Sequence, residues 1–144
     1  VIIIAAVYVF GSRLSDVVEN QDQYFVFGGK VLNIELADDV LSRTRGLSGR
    51  ESLSGGSGLL FVFAELGQPG FWMKDMNFPI DILWFNEERE LIDVTEDVYP
   101  ETFPETFYSN APVKYVLETN IDEFLEPEKF IGQTFELSTE KSDE

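Results

Sequence analysis

Gly58-Leu59-Leu60-Phe61-Val62-Phe63 and Pro79-Ile80-Asp81-Ile82-Leu83-Trp84-Phe85 decide the fold class of this 144-residue chain. Each is a short apolar run, rich in β-branched and aromatic residues and opened by Gly or Pro, which is the pattern of a strand. The first has no polar alternation, so it is predicted to be buried on both faces. On either side of Pro79–Phe85 lie two more strand-like runs, Gly70–Lys74 and Glu90–Thr95, and Asn86-Glu87-Glu88-Arg89 reads as a hairpin link to the latter. Toward the N-terminus, Tyr24–Phe27 and Val31–Leu36 flank Gly28-Gly29-Lys30, and Gly-Gly between strands predicts a hairpin because Gly accepts positive φ. Toward the C-terminus, a long loop from Tyr99 to Pro112 leads to the strand Val113–Glu118. Ile121–Phe130 suits one or two helical turns interrupted at Pro127, and Gln133–Leu137 is a last strand.

Only one segment changes period. Val40, Leu41, Thr44 and Leu47 recur at helical spacing behind Asp38-Asp39, which suit the positive end of a helix dipole. Ser52–Gly58 has the composition of a mobile loop. The expectation is a mainly β fold with one or two short helices, built as an antiparallel β-sandwich or a partly open barrel.

The chain contains no Cys and no His, which excludes a Ser-His-Asp triad, a Cys nucleophile, thiolate or imidazole zinc sites and a His-held haem. A formal net charge of −17 argues against nucleic acid, whose phosphates need a clustered basic surface. It suits a soluble monomer. No calcium-loop spacing occurs, and neither a metal nor a cofactor is expected.

Val1–Phe10 is an uncharged apolar run. Ten residues rise only about 15 Å as a helix, too little for a hydrocarbon core of about 30 Å. It reads as the remnant of a signal anchor or signal peptide over residues 1–11, with a first strand as the competing reading. Residues 12–23 are then a linker, 24–138 a single domain and 139–144 a polar tail. The domain is expected outside the cytoplasm, tethered to a membrane through the apolar segment or secreted.

Three features carry chemistry. Arg43-Thr44-Arg45-Gly46-Leu47-Ser48-Gly49-Arg50 gathers three basic residues within eight positions. Arg43 and Arg50 read as solvated or paired; Arg45, beside a glycine that can end a helix, suits either capping or recognition of an anionic group. Phe71-Trp72-Met73-Lys74-Asp75-Met76 mixes flat apolar surface with charge. On a strand Trp72 and Lys74 share one face and Phe71, Met73 and Asp75 the other, so Trp72 with Lys74 forms either a stacking platform or a core Trp passed by a snorkelling Lys. Asp81, inside an apolar strand, needs a partner such as Lys74, Arg45 or backbone N–H groups, and Glu118 ends another strand.

These segments resemble one known family, the small prokaryotic proteins called DUF192 or UPF0127. The resemblance runs from about Val31 to Leu137. It rests on Arg45-Gly46-Leu47 with Arg50, then Gly58–Phe63, Phe71–Asp75 with Pro79-Ile80-Asp81-Ile82, and Tyr115-Val116-Leu117-Glu118. It implies a compact β-rich domain, commonly exported or membrane-tethered, and brings no established activity. The chain departs from the pattern at Leu59 for Met, at Asp75-Met76 for Asn-Thr and at Thr119-Asn120 for a small residue and Gly. An ionised Asp75 cannot donate a hydrogen bond as Asn does.

The leading functional expectation is an extracytoplasmic binding or accessory domain that takes a small polar ligand, a glycan or an envelope component on a surface of Arg45, Trp72, Lys74, Asp75, Asp81 and Glu118. One rival is a glycan-cleaving hydrolase with Asp81 and Glu118 as acid and base and Lys74 in support, which requires both carboxyls in one cleft. The other is a structural or protein-interaction domain whose cluster is an internal ion-pair network.

Overall fold

The computed structural model describes residues 22–140. The apolar run Val1–Phe10, most of the 12–23 linker and the end of the polar tail lie outside the described residues. Among the described residues no helix is long and apolar enough to cross a membrane.

The chain opens with β1 (Gln23–Phe27) and β2 (Lys30–Ala37), paired antiparallel with Phe25 opposite Leu32. The two residues between them, Gly28 and Gly29, have φ of 56° and 76°, the positive values a tight hairpin turn requires. Gln23 is therefore in the sheet and not in a linker. A short helix, α1 (Val40–Arg45), then carries the chain to β3 (Ser57–Gly67), which lies parallel to β2. After β3 come β4 (Phe71–Trp72), β5 (Ile80–Phe85), β6 (Leu91–Val98), β7 (Thr106–Phe107), β8 (Val113–Asn120) and β9 (Glu136–Ser138), with 3-10 turns at Pro100–Thr102 and Pro127–Phe130. The main sheet has seven strands in the order β6-β5-β8-β3-β2-β1-β9; β4 and β7 form a separate two-stranded ribbon.

The main sheet is antiparallel except at β2–β3, and it curls. Its edge strands β6 and β9 do not pair, so the barrel is not closed. Chain just before β9 nevertheless bridges toward β6. The Leu91 N–H donates to the Gln133 carbonyl at 2.9 Å, Gly132 N–H to the Leu91 carbonyl at 2.9 Å, and Phe135 N–H to the Arg89 carbonyl at 3.1 Å.

Alternation along the strands divides the core in two. Leu60, Leu83, Phe85 and Leu117 face the inside of the curl with Phe25, Phe27, Phe124 and Phe135. There the rings of Phe25 and Phe135 stack at 4.6 Å, and Phe85 meets Phe25, Phe27 and Phe135 edge to face at 5.7, 5.2 and 5.0 Å. Leu59, Phe61, Ile80, Ile82, Trp84 and Val116 face the other way and are covered by Leu47, Phe71, Met73 and Met76. Leu59, Leu60 and Phe61 are all buried, as a strand with two covered faces demands. The outer face, under α1 and the β4–β7 ribbon, is where the site lies.

Phe135 ties the end of the chain to the inside of the curl. Phe135→Ala is expected to cost about 3–5 kcal/mol, the range for emptying a buried aromatic site, read as a lowered urea midpoint.

Candidate functional site

Six residues are too few for a helix to persist on its own, and α1, none of whose residues is buried, is fixed by a cap at each end. The Asp39 carboxylate accepts from Ser42 N–H at 2.8 Å while the Asp39 N–H donates back to Ser42 Oγ at 3.2 Å. At the other end Gly46 stops the helix with φ 50°, its N–H donating to the Ser42 carbonyl at 2.9 Å. A Cβ at Gly46 would stand 3.3 Å from the Phe61 ring and 4.0 Å from Glu118 Oε2, so glycine answers both the turn and the close approach to the sheet.

The turn after α1 is clamped to the turn after β4. Ser48 Oγ donates to the Lys74 carbonyl, Gly49 N–H to the Asp75 carbonyl and Asn77 Nδ2 to the Arg50 carbonyl, each at 2.8 Å. The basic segment and the aromatic segment singled out in the sequence thus make one rim. Between that rim and the outer sheet face lies a cavity of about 330 Å³, with Arg45 and Gly46 on the helix side, Phe71 and Trp72 on the ribbon side, and Phe61 and Glu118 from the sheet.

Glu118 is buried, at 6% exposure, and its Oε2 has no hydrogen-bond partner. Burial pushes its carboxyl up to about 8, against the pull of the nearby Arg50. Arg50 does not pair with it. Its guanidinium grips Glu35 in a two-pronged contact, 2.8 Å on each arm, which holds Glu35 below the usual carboxylate range.

Trp72 is half exposed at the cavity mouth, with Lys74 Nζ 5.7 Å from its ring centre and Phe103 5.4 Å away. The core tryptophan is Trp84, fully buried, with Nε1 donating to Thr95 Oγ1 at 3.0 Å. Asp75 does not join Phe71 and Met73 on the buried face. The chain turns at Met73, whose carbonyl accepts from Met76 N–H at 3.2 Å, and Asp75 is exposed with φ 57°. Asn and Asp are the non-glycine residues that tolerate this left-handed region best, which accounts for Asp standing where the family pattern has Asn.

Asp81 is separated from this site. Asp81 pairs in register with Thr119, whereas Glu118 pairs with Ile82, so the two carboxyls project from opposite faces of the sheet. They do not share a cleft, and the acid–base pair required of a glycan-cleaving enzyme is not assembled. Asp81 sits at a β-bulge, where β5 and β6 slip in register between Ile80 and Ile82. Its Oδ1 accepts from Asp97 N–H at 2.8 Å, and it also binds the Asp122 backbone. Those two residues have φ of 54° and 65°, so the buried carboxyl staples two left-handed turns. Burial raises it to about 6, with the hydrogen bond from Asp97 opposing. The partner foreseen for Asp81 is therefore the backbone, not Lys74 or Arg45.

Of the six site residues expected from sequence, Arg45, Trp72 and Glu118 line the cavity; Lys74 covers Trp72, Asp75 serves the rim through its backbone, and Asp81 lies elsewhere. Sequence reasoning missed Arg43, Phe61 and Phe63 as site residues. Arg43 Nη1 donates to the Val62 carbonyl at 2.9 Å and its guanidinium lies 5.5 Å from the Phe63 ring, along the cavity wall. The available signal was the helical spacing of Arg43 from Gly46.

A carboxyl raised on folding keeps its proton when the unfolded chain has lost it. The stability it carries is present below the unfolded value, near 4.5, and is lost as pH climbs toward 8. Glu118→Gln does not titrate. Its stability relative to wild type is expected to rise by roughly 2–4 kcal/mol between pH 5 and pH 8, measured as urea unfolding midpoints at each pH.

Comparison with known proteins places this geometry in context. A crystal structure described as a "putative transcription regulator" from Sinorhizobium meliloti superposes with a TM-score of 0.67 at 26% identity, covering 81% of this chain and 91% of its own. A protein of unknown function from Novosphingobium aromaticivorans superposes at 0.69 with 21% identity, covering 80% and 83%, and shows likeness of fold. No curated protein matches the chain. The family model DUF192, Uncharacterized ACR, matches residues 24–135, from β1 to the bridging segment before β9, and so spans both the curled sheet and the rim of the cavity. The chain belongs to the DUF192 family.

Proposed function

We propose that the domain is a non-catalytic binding module for a small ligand with a flat apolar face and a polar end, displayed outside the cytoplasm. The observation that carries the reading is the unpartnered, buried Glu118 carboxyl in a cavity walled by aromatic rings. Leaving a buried polar oxygen unsatisfied costs about 1–3 kcal/mol, and a ligand donor or acceptor at that point recovers it. At about 330 Å³ the cavity has the size of a small-molecule site, and Trp72 at its mouth offers a face on which a ring can stack.

Catalysis finds less support. The second carboxyl a hydrolase would use, Asp81, lies on the far side of the sheet and holds backbone. A nucleic-acid-binding role is disfavoured here by the net charge of −17. A protein-interaction reading draws on one observation: Val40 and Leu41 on α1 are 71% and 78% exposed beside the same mouth.

Thermal unfolding against saccharides, peptidoglycan fragments, nucleotides and small carboxylates tests the binding reading. A true ligand at 100 times its Kd stabilises by about 2.7 kcal/mol, and that gain is expected to shrink in Trp72→Ala. If no member of the panel raises Tm in a folded wild type, the reading fails. The extracytoplasmic placement draws its support from Val1–Phe10. Alkaline phosphatase fused after Glu144 of the full-length protein is expected to be active in cells; an inactive, stably expressed fusion overturns the placement.

A further inference from the structure

We propose that the ligand is a small carboxylate, held between the Arg45 guanidinium and a protonated Glu118 that donates its O–H to the bound anion. This rests on the cavity being a ligand site.

The cavity joins two opposed features, a cluster of positive charge and a buried acid. Arg43 and Arg45 line it, Lys74 covers Trp72 at its mouth, and Arg50 lies close enough to act on Glu118. These are four of the ten basic residues of a chain with net charge −17. Such an island attracts an anion and repels an amine. Of these cations, Arg50 is committed to Glu35 and Arg43 to the Val62 carbonyl. Arg45 and Lys74 make no ion pair among the described residues, and of the two only Arg45 lines the cavity, so it is the cation left to meet a ligand. Its planar fork suits two carboxylate oxygens.

An ionised Glu118 would repel the same anion. A protonated one binds it, because a neutral carboxylic acid has one O–H to give and Oε2 makes no other hydrogen bond. The surroundings keep it neutral. The strands beside β8 put Leu59 and Phe61 from β3 and Ile80 and Ile82 from β5 on its face, and β4 adds Phe71, all uncharged. Of the other carboxylates on that face of the sheet, Glu35 from β2 is tied to Arg50, and Asp93 from β6, opposite Trp84, accepts from the Val94 and Asn110 N–H groups. Binding is then linked to a proton. Above the pH at which Glu118 ionises, near 8, each further unit costs about tenfold in affinity.

Titration calorimetry of residues 1–144 with benzoate, benzamide and benzylamine tests this, since the three share a ring and differ in charge. Benzoate is expected to bind at least about tenfold more tightly than benzamide at pH 7, with benzylamine weakest. Its affinity should fall about tenfold per unit above pH 8 in the wild type. In Glu118→Gln the affinity should be level across that range, because an amide donates at every pH. Arg45→Gln should lose about 10- to 100-fold for benzoate and little for benzamide. A preference for benzylamine makes Glu118 a counter-ion and overturns the proposal. Equal binding of all three, or a benzoate affinity independent of pH in the wild type, overturns it while leaving the cavity a ligand site. Binding of none of the three overturns it as well. The wider ligand panel then decides the fate of the site itself: a saccharide or nucleotide lost in Trp72→Ala preserves it.

Discussion

The parallel pairing of β2 with β3 is the constraint from which the rest of this structure follows. Parallel neighbours cannot be joined by a hairpin, so the chain from Ala37 to Ser57 must cross over one face of the sheet. That crossing carries α1, Gly46 and the turn to Arg50, and sets them against the outer face. Leu47 anchors the crossing in the outer core, and the clamp between Ser48–Arg50 and Lys74–Asn77 joins it to the β4–β7 ribbon. A cavity remains where the crossing and the ribbon meet above Glu118. The opposite face is covered differently: the sheet curls there, and Phe124 and Phe135 from outside its strands pack on Phe25, Phe27 and Phe85.

Much of the sheet was legible in the sequence because its signals are local. Gly28-Gly29 needs only its own backbone freedom to announce a hairpin, and Leu59–Phe61 only its lack of alternation to announce burial on both faces. Asp38-Asp39 likewise mark the start of α1, which Asp39 caps. The direction of β3 was not legible, since a strand carries no local mark of whether its neighbour runs with or against it. Nor was β7, two residues in a Pro-bearing loop whose strand character comes from Phe71 and Trp72 across from it.

The site divides along the same line. Arg45, Trp72 and Glu118 were recognisable as residues of unusual type for their positions, and they share a cavity. Asp81 looked equivalent to Glu118 within its own strand. What separates them is the cross-strand register, Asp81 beside Thr119 and Ile82 beside Glu118, and that depends on how β5 and β8 align. The bulge that lets Asp81 hold Asp97 is equally a property of the β5–β6 pair and not of either strand alone.

The contrast between the tryptophans gives this protein a built-in pair of optical reporters. Trp84 is sealed in the outer core with Phe71 edge-on at 5.2 Å, while Trp72 is 51% exposed at the cavity mouth. An indole in an apolar interior emits to the blue of one in water, so the intrinsic spectrum is a sum of two separable bands. The red band follows events at the mouth and the blue band the integrity of the fold. A molecule entering the cavity changes one and spares the other, whereas loss of structure moves both, so occupancy and unfolding can be told apart in a single cuvette without a label.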